Sequence, residues 1–375
     1  MWTQWIKSRQ SVGHPWWLAI KGGQQSQGSR ITEGLFRRPS ISRPVLSRKA
    51  HLQVPSDTLP IMTQLITVLS IIALATACQP ADPPNTPPAL PTDRAQIVML
   101  TQSVDYDPAT KAEIKSEYVA KSVLVVPNEL GPQNKWFMFE GPVLENDRIA
   151  YRYYADHRHR FDIYGKTVND LVMDTVSWDY HDIMDWGSDI LKVGNSLGIG
   201  SPAIYYQDSL YTLSDYQQKR IEIVQDDTTT VLLRTTFTGL KVGGSVFDLV
   251  QDWKMQAGAA WSEISLRASE PLPAGMYFAT GIVKHLPEIQ KATSADYFYA
   301  WNWGAQSYHG EQLGMAVIAA LAYGPEAIDD TLNHAYVFRH APQAVSYRFM
   351  AAWERDVNGI KEDTAFEAFV RAAAR

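Results

Sequence analysis

The chain predicts an all-β fold: a large antiparallel β-sandwich, of the supersandwich kind, with one helix at its C-terminus. Two observations carry this. Short segments in which apolar and polar residues alternate recur from residue 148 onward, the period of a strand with one buried face. Turn residues such as Gly243-Gly244, Ala257-Gly258 and Pro271-Leu272-Pro273 separate them, and no long helical patterns alternate with them. Repeated strands without intervening helices favour stacked antiparallel sheets over a parallel α/β arrangement.

Taken in order, residues 148–154 place Arg148, Arg152 and Tyr154 on one face and Ile149, Tyr151 and Tyr153 on the other. Residues 161–166 place Asp162, Tyr164 and Lys166 together, and the short polar link between the two segments makes them a hairpin. Further strands are expected at 220–224, 229–237, 245–255, 261–267, 276–284, 297–303, 315–321 and 345–353. The last segment is expected to be a helix capped by Asp363 or Thr364, with Phe366, Phe369 and Val370 on one face.

The N-terminal part has a different character. Residues 65–74 are apolar and run into Ala75-Thr76-Ala77-Cys78, the only cysteine of the chain. The run is too short to cross a bilayer and fits a secretory signal ending in a lipidated thiol. We therefore expect a lipoprotein signal at 62–78, although Met62-Thr63-Gln64 lacks the usual positive start. Residues 1–61 are basic, without apolar period, and are expected not to belong to the mature protein. Residues 79–94 carry six prolines and read as an extended tether. The folded domain is expected to be single and to span 95–375, held in the cell envelope by a lipid anchor at the periplasmic or outer membrane.

Charge narrows the partners. Of the 34 basic and 40 acidic residues, nine and two lie in residues 1–78, leaving 25 against 38. A domain near −13 is a poor binder of nucleic acid or of an anionic membrane surface. With Cys78 lipidated no thiol remains for disulfides or thiolate metal sites.

The densest polar block is 180–192, in a long strand-poor connection whose tryptophans favour burial. His181 is the candidate general base or acid, because imidazole alone titrates near neutrality unaided. A helical segment would put Asp185 one turn on, able to orient it. Tyr180 and Tyr164 are alternative proton carriers, and His285 or Lys166 could serve as acid. Arg152, Arg158 and Lys192 are the cations that could hold a carboxylate, Arg through its planar fork. Trp186, Trp301 and Trp303 offer flat faces on which sugar rings stack, although buried aromatics of a β core look the same. No cofactor is expected; the alternative is a divalent metal on His157 and His159, or on the His181-Asp185 pair. The Gly-rich stretch 194–201 lacks the lysine of a phosphate loop and instead lets the backbone pass close to another element.

Glu145-Asn146-Asp147-Arg148-Ile149-Ala150-Tyr151-Arg152, with Asp156, Arg158 and Ile163-Tyr164-Gly165-Lys166, resemble the opening of a bacterial family catalogued as domain of unknown function 4861. Tyr180-His181-Asp182 through Asp185-Trp186-Gly187 to Val193-Gly194 looks like its central signature. Gly281-Ile282-Val283-Lys284-His285 and the Trp353 segment are similar to its later motifs. The sequence departs from the pattern at His157-Arg158-His159-Arg160, where fewer histidines are expected. The resemblance implies an exported β-sandwich protein of polysaccharide degradation, similar to ulvan-type oligosaccharide dehydratases that act on uronic-acid ends. The expected function is thus a lyase removing water from a terminal uronic acid of an anionic oligosaccharide. The alternatives are a non-catalytic glycan-binding lipoprotein and a metal-dependent sugar hydrolase or epimerase.

Overall fold

The alternating segments form strands in a computed structural model that describes residues 93–107, 116–259, 261–357 and 359–375. The stretch 1–61, the signal, Cys78 and nearly all of the tether lie outside the described residues.

One layer is a nine-stranded antiparallel sheet. Its centre is a meander of long strands, Gln218–Asp226, Thr230–Val242, Ser245–Gln256 and Ser262–Ala268. Ala344–Trp353 then joins it to Gln312–Ala320, Tyr297–Ala305 and Gln290–Thr293, while Val123–Val126 closes the other edge. Gly243-Gly244 turns Thr230–Val242 into Ser245–Gln256, both glycines having positive φ.

Two five-stranded sheets form the facing layer. The first runs Ala95–Val98, Val143–Asn146, Ile149–Tyr154, Arg160–Lys166, Gly187–Asp189. The second runs Ser209–Thr212, Ala203–Tyr206, Tyr277–Val283, Asn333–Phe338, Pro325–Ile328. The Gly-rich stretch stitches them together. Ile199 N–H donates to the Phe161 carbonyl, and Val283 N–H donates to that of Gly198. Gly198 has φ +64°, and a Cβ there would collide with the Phe161 carbonyl oxygen. Gly198→Ala is therefore expected to lower unfolding free energy by about 2 kcal/mol or more, measured by denaturant titration; an unchanged midpoint would remove the seam from the account.

The core lies between the layers. Tyr151, Tyr153, Phe161 and Ile163 point inward and meet Trp253, Phe349 and Trp353 of the large sheet. Phe161 and Trp253 stack at 4.5 Å, and the Tyr151 hydroxyl accepts the Ala351 N–H at 3.0 Å. Each such side chain contributes roughly 1.5–3 kcal/mol by burial.

The outer faces are covered differently. The helix Asp363–Ala373 lays Phe366 and Val370 over Tyr299, Trp301, Ile318 and Met350 on the back of the large sheet. Its N-cap is Glu362, without a side-chain capping bond, rather than Asp363 or Thr364. The back of the first five-stranded sheet is covered by the 167–186 connection, through Met173, Val176 and Tyr180 against Phe139 and Tyr164.

Candidate active site

Alternation in the hairpin decides which polar groups reach that covered outer face. Arg152 pairs in register with Asp162 across Ile149–Tyr154 and Arg160–Lys166, and Tyr164 pairs with Asp189 on the next strand. Arg152 is 1% exposed and donates to both Asp162 and Asp189, the latter at 2.7 Å. It also donates to the hydroxyls of Tyr154 at 2.5 Å and Tyr180 at 3.0 Å. The Tyr154 hydroxyl in turn donates to Asp162 at 2.7 Å. Burial and the neighbouring Asp162 push the Asp189 carboxyl well above the usual carboxylate range. Burial pushes the Tyr180 hydroxyl up to about 12.

His181 sits at the surface end of this network. The Asp189 N–H donates to the Tyr180 carbonyl at 2.8 Å, closing a fold-back that brings residue 181 beside residue 189. His181 Nδ1 lies 3.3 Å from Asp189 Oδ2, with the imidazole side chain 57% exposed and the carboxylate 4%. Desolvation and then the Arg152 charge hold the imidazole below its ordinary value, against Asp162, Glu140 and Asp182. A neutral ring with its proton on Nδ1, toward Asp189, leaves Nε2 as a lone-pair base. The Tyr308 ring lies 6.1 Å from His181 and is exposed. His309 Nε2 reaches Ser188 Oγ at 2.9 Å, and the Tyr308 N–H donates to the Ile190 carbonyl at 2.7 Å. The 306–311 loop is thus pinned beside the strand that carries Asp189.

Several expectations are corrected. The 180–187 segment is not helical: Met184 and Gly187 exchange backbone hydrogen bonds, so Asp185 and Trp186 occupy a tight turn. Asp185 is exposed and turned away from this role, and Asp189 holds the orienting position. Trp186 packs against Tyr164 at 6.1 Å as part of the cover. Arg152 is buried and already paired with two carboxylates, so it is closed to a substrate carboxylate. Lys166 is fully buried, paired at 2.7 Å with Glu145 and donating to the Asn146 carbonyl, so it is closed to substrate. Tyr164 and Tyr180 are buried as well. Trp301 lies under the C-terminal helix, and Trp303 packs on Phe366, both on the large sheet. Arg158 is held by Asp156 and Glu140, each at 2.5 Å. Lys192 is exposed, and its carbonyl is contacted by the exposed His285 at 2.8 Å, away from the Arg152 network.

The metal alternative at 157 and 159 also fails geometrically. His157 is exposed, whereas His159 is buried between the Tyr153 hydroxyl and Gln251 Oε1. His159 has φ +46°, which breaks the strand alternation that would have aligned the two. Burial and the Lys219 charge hold its imidazole well below the ordinary value.

Sequence reasoning missed His309, Ser188 and the orienting role of Asp189. The pairing of 188 with 309 spans 121 residues and leaves no local signal. Two clefts, of ≈430 and ≈350 Å³, do not have His181 among their lining residues. The first is lined by 210–215 and 241–246, where the titratable groups are an Asp215–Lys241 pair. That exposed pair stabilises little. By contrast, a buried arginine between two buried carboxylates is costly to assemble, and a carboxyl so perturbed beside an exposed imidazole marks a candidate site.

The fold and site thus define an all-β sandwich protein with an imidazole–carboxylate pair on the outer face of its smaller layer. The family model described as domain of unknown function (DUF4861) matches residues 89–375, and the chain belongs to that family. No curated protein matches the chain.

Proposed function

We propose that the protein is an oligosaccharide dehydratase, eliminating water from a terminal uronic acid. The exposed His181 imidazole backed by the buried Asp189 carboxylate carries this reading. Nε2 of His181 takes the C5 proton, the C–H electrons form the C4=C5 double bond, and the C4–O bond breaks. The exposed Tyr308 hydroxyl gives its proton to the departing oxygen, so that water leaves. His309, fixed by Ser188 and edge-on to Tyr308 at 5.0 Å, is assigned to the uronate carboxylate, where a donor aimed at developing charge helps most. Asp189 stabilises the imidazolium as it forms, and Arg152 keeps Asp189 in place. The apolar run ending at Cys78 supports a place in the cell envelope, and the partner is an anionic oligosaccharide that local donors must hold against the domain's negative net charge.

Incubating the full chain with uronate-ended oligosaccharides tests the proposal. An ultraviolet-absorbing unsaturated product supports it; unchanged ligand with measurable affinity supports a glycan-binding lipoprotein instead. Activity is expected to survive exhaustive chelation, and its loss on chelation with recovery on adding a divalent cation would favour metal chemistry.

The pH profile carries a sign. With the His181 imidazole held below its ordinary value, the base form persists to lower pH than in a free histidine. The acid limb of kcat/KM should have its midpoint below about 6.5, with a plateau above. A limb centred higher would argue against His181 as the proton acceptor.

A further inference from the structure

We propose that a second site, at the tip of the 149–166 hairpin, binds an oxyanion, a sulfate ester or a carboxylate on a saccharide unit beyond the one at His181. The identity of the carrier as a saccharide rests on the function proposed above; the oxyanion site rests on its own geometry.

A cleft of ≈350 Å³ is lined by His157, Arg158, Arg160, Asn195, Thr212 and Ser214, with Pro132 and Gly194. No carboxylate is among the lining residues. The two nearby acids, Asp156 and Glu140, are buried and both form ion pairs with Arg158, while Arg160 feels Asp156 only through space. Arg160 donates to the Gly194 carbonyl, and among the described residues it forms no ion pair. Its Nε is buried without a hydrogen-bond partner. Two guanidinium groups, Arg158 and Arg160, line this cleft side by side, each only partly exposed, and can pair with an entering anion. Their planar forks match sulfate and carboxylate oxygens. The Thr212 hydroxyl donates to that of Ser214 at 3.1 Å, and both residues line the same cleft.

Position ties the cleft to the candidate active site. Arg160, Asp162 and Tyr164 alternate on one strand and share its outer face, and Tyr164 is the register partner of Asp189. Four residues of strand separate Arg160 from that point, about 13 Å. A group bound at Arg160 is therefore assigned to a different saccharide unit from the one at His181. The ≈430 Å³ cleft shares Thr212 and Ser214 with this one and continues past Tyr211 and Lys241, leaving room for further units. Both volumes fall in the range of small-ligand sites, roughly 300–1,000 Å³.

Titration calorimetry on the full chain tests the site with three probes: inorganic sulfate, a sulfated uronate-ended oligosaccharide, and the same oligosaccharide desulfated. Arg160→Gln should weaken the tightest-binding oligosaccharide by roughly tenfold or more, with Arg160→Lys between it and the wild type. If sulfate is the recognised group, desulfation costs the wild type a similar factor and costs Arg160→Gln nothing. If carboxylate is, carboxyl reduction does so instead. Ser214→Asp, which places a negative charge in the cleft, should weaken binding comparably and serves if Arg160→Gln does not fold. Wild-type affinity in both variants would overturn the proposal. Normal elimination lost in His181→Ala, together with unaltered binding in Arg160→Gln, would remove this site and leave the dehydratase. Weakened binding in Arg160→Gln, with turnover retained in His181→Ala, would do the reverse.

Discussion

Replacing His181 by alanine is expected to lower kcat/KM for elimination by about a hundredfold or more, with no loss of thermal stability. The two halves of this expectation have separate causes. The imidazole side chain is 57% exposed and rests on the Tyr180 ring from the solvent side, so its removal leaves no enclosed cavity. The lone pair on Nε2 is the base; Tyr180 is buried with its hydroxyl directed at Arg152, Lys166 is sealed against Glu145, and His309 Nε2 is engaged by Ser188. His181→Gln keeps the ring's bulk and polarity without its basicity and should be nearly as impaired. A variant that keeps wild-type turnover removes His181 from the mechanism. A variant that unfolds would show the residue to be structural, contrary to its exposure.

Arg152→Met is expected to destabilise the fold by about 3–5 kcal/mol at neutral pH. Methionine fills much of the volume but leaves Asp162 and Asp189 facing each other, buried and without a cation, while Tyr154 and Tyr180 lose a donor. The pH dependence has a definite sign. In the wild type, burial and Asp162 already raise the Asp189 carboxyl above its unfolded value. Without Arg152 the Asp189 carboxyl rises further, so the folded variant binds a proton more readily than the unfolded chain. Its stability deficit should therefore be largest at neutral pH and shrink as pH falls toward the unfolded carboxylate value near 4. Denaturant midpoints of both proteins at several pH values measure this. A deficit below about 1 kcal/mol at neutral pH would mean that the network is a weak surface pair rather than a buried one.

The hairpin that builds this network was legible because period-2 alternation is strict there. Arg152 with Tyr154, and Asp162 with Tyr164, fall on one face by counting alone, and the short polar link sets them opposite each other. The long strands of the large sheet were legible for the same reason, and the Gly-rich stretch did bring the backbone against Phe161. The short strands Ala203–Tyr206, Ser209–Thr212 and Asn333–Phe338 were not read, since four to six residues give too few repeats to establish a period. The orienting carboxylate was misplaced because a helical spacing was imposed on 180–187. There Gly187, at φ +137°, and the Asp185-Trp186 turn force a fold-back instead. Trp301 shows the limit of aromatic patterning: its strand has two apolar faces, and only the C-terminal helix decides that this face is covered. His309 reaches Ser188 through sheet topology, which no local pattern encodes.

The proposed elimination is tested most directly by mass spectrometry of the products formed from a uronate-ended oligosaccharide in heavy-oxygen water. The wild-type protein should release a product lighter by the mass of one water, free of solvent label, and His181→Ala should release almost none. A product that gains labelled oxygen would identify hydrolysis, and one formed equally well by His181→Ala would contradict the assignment of the base.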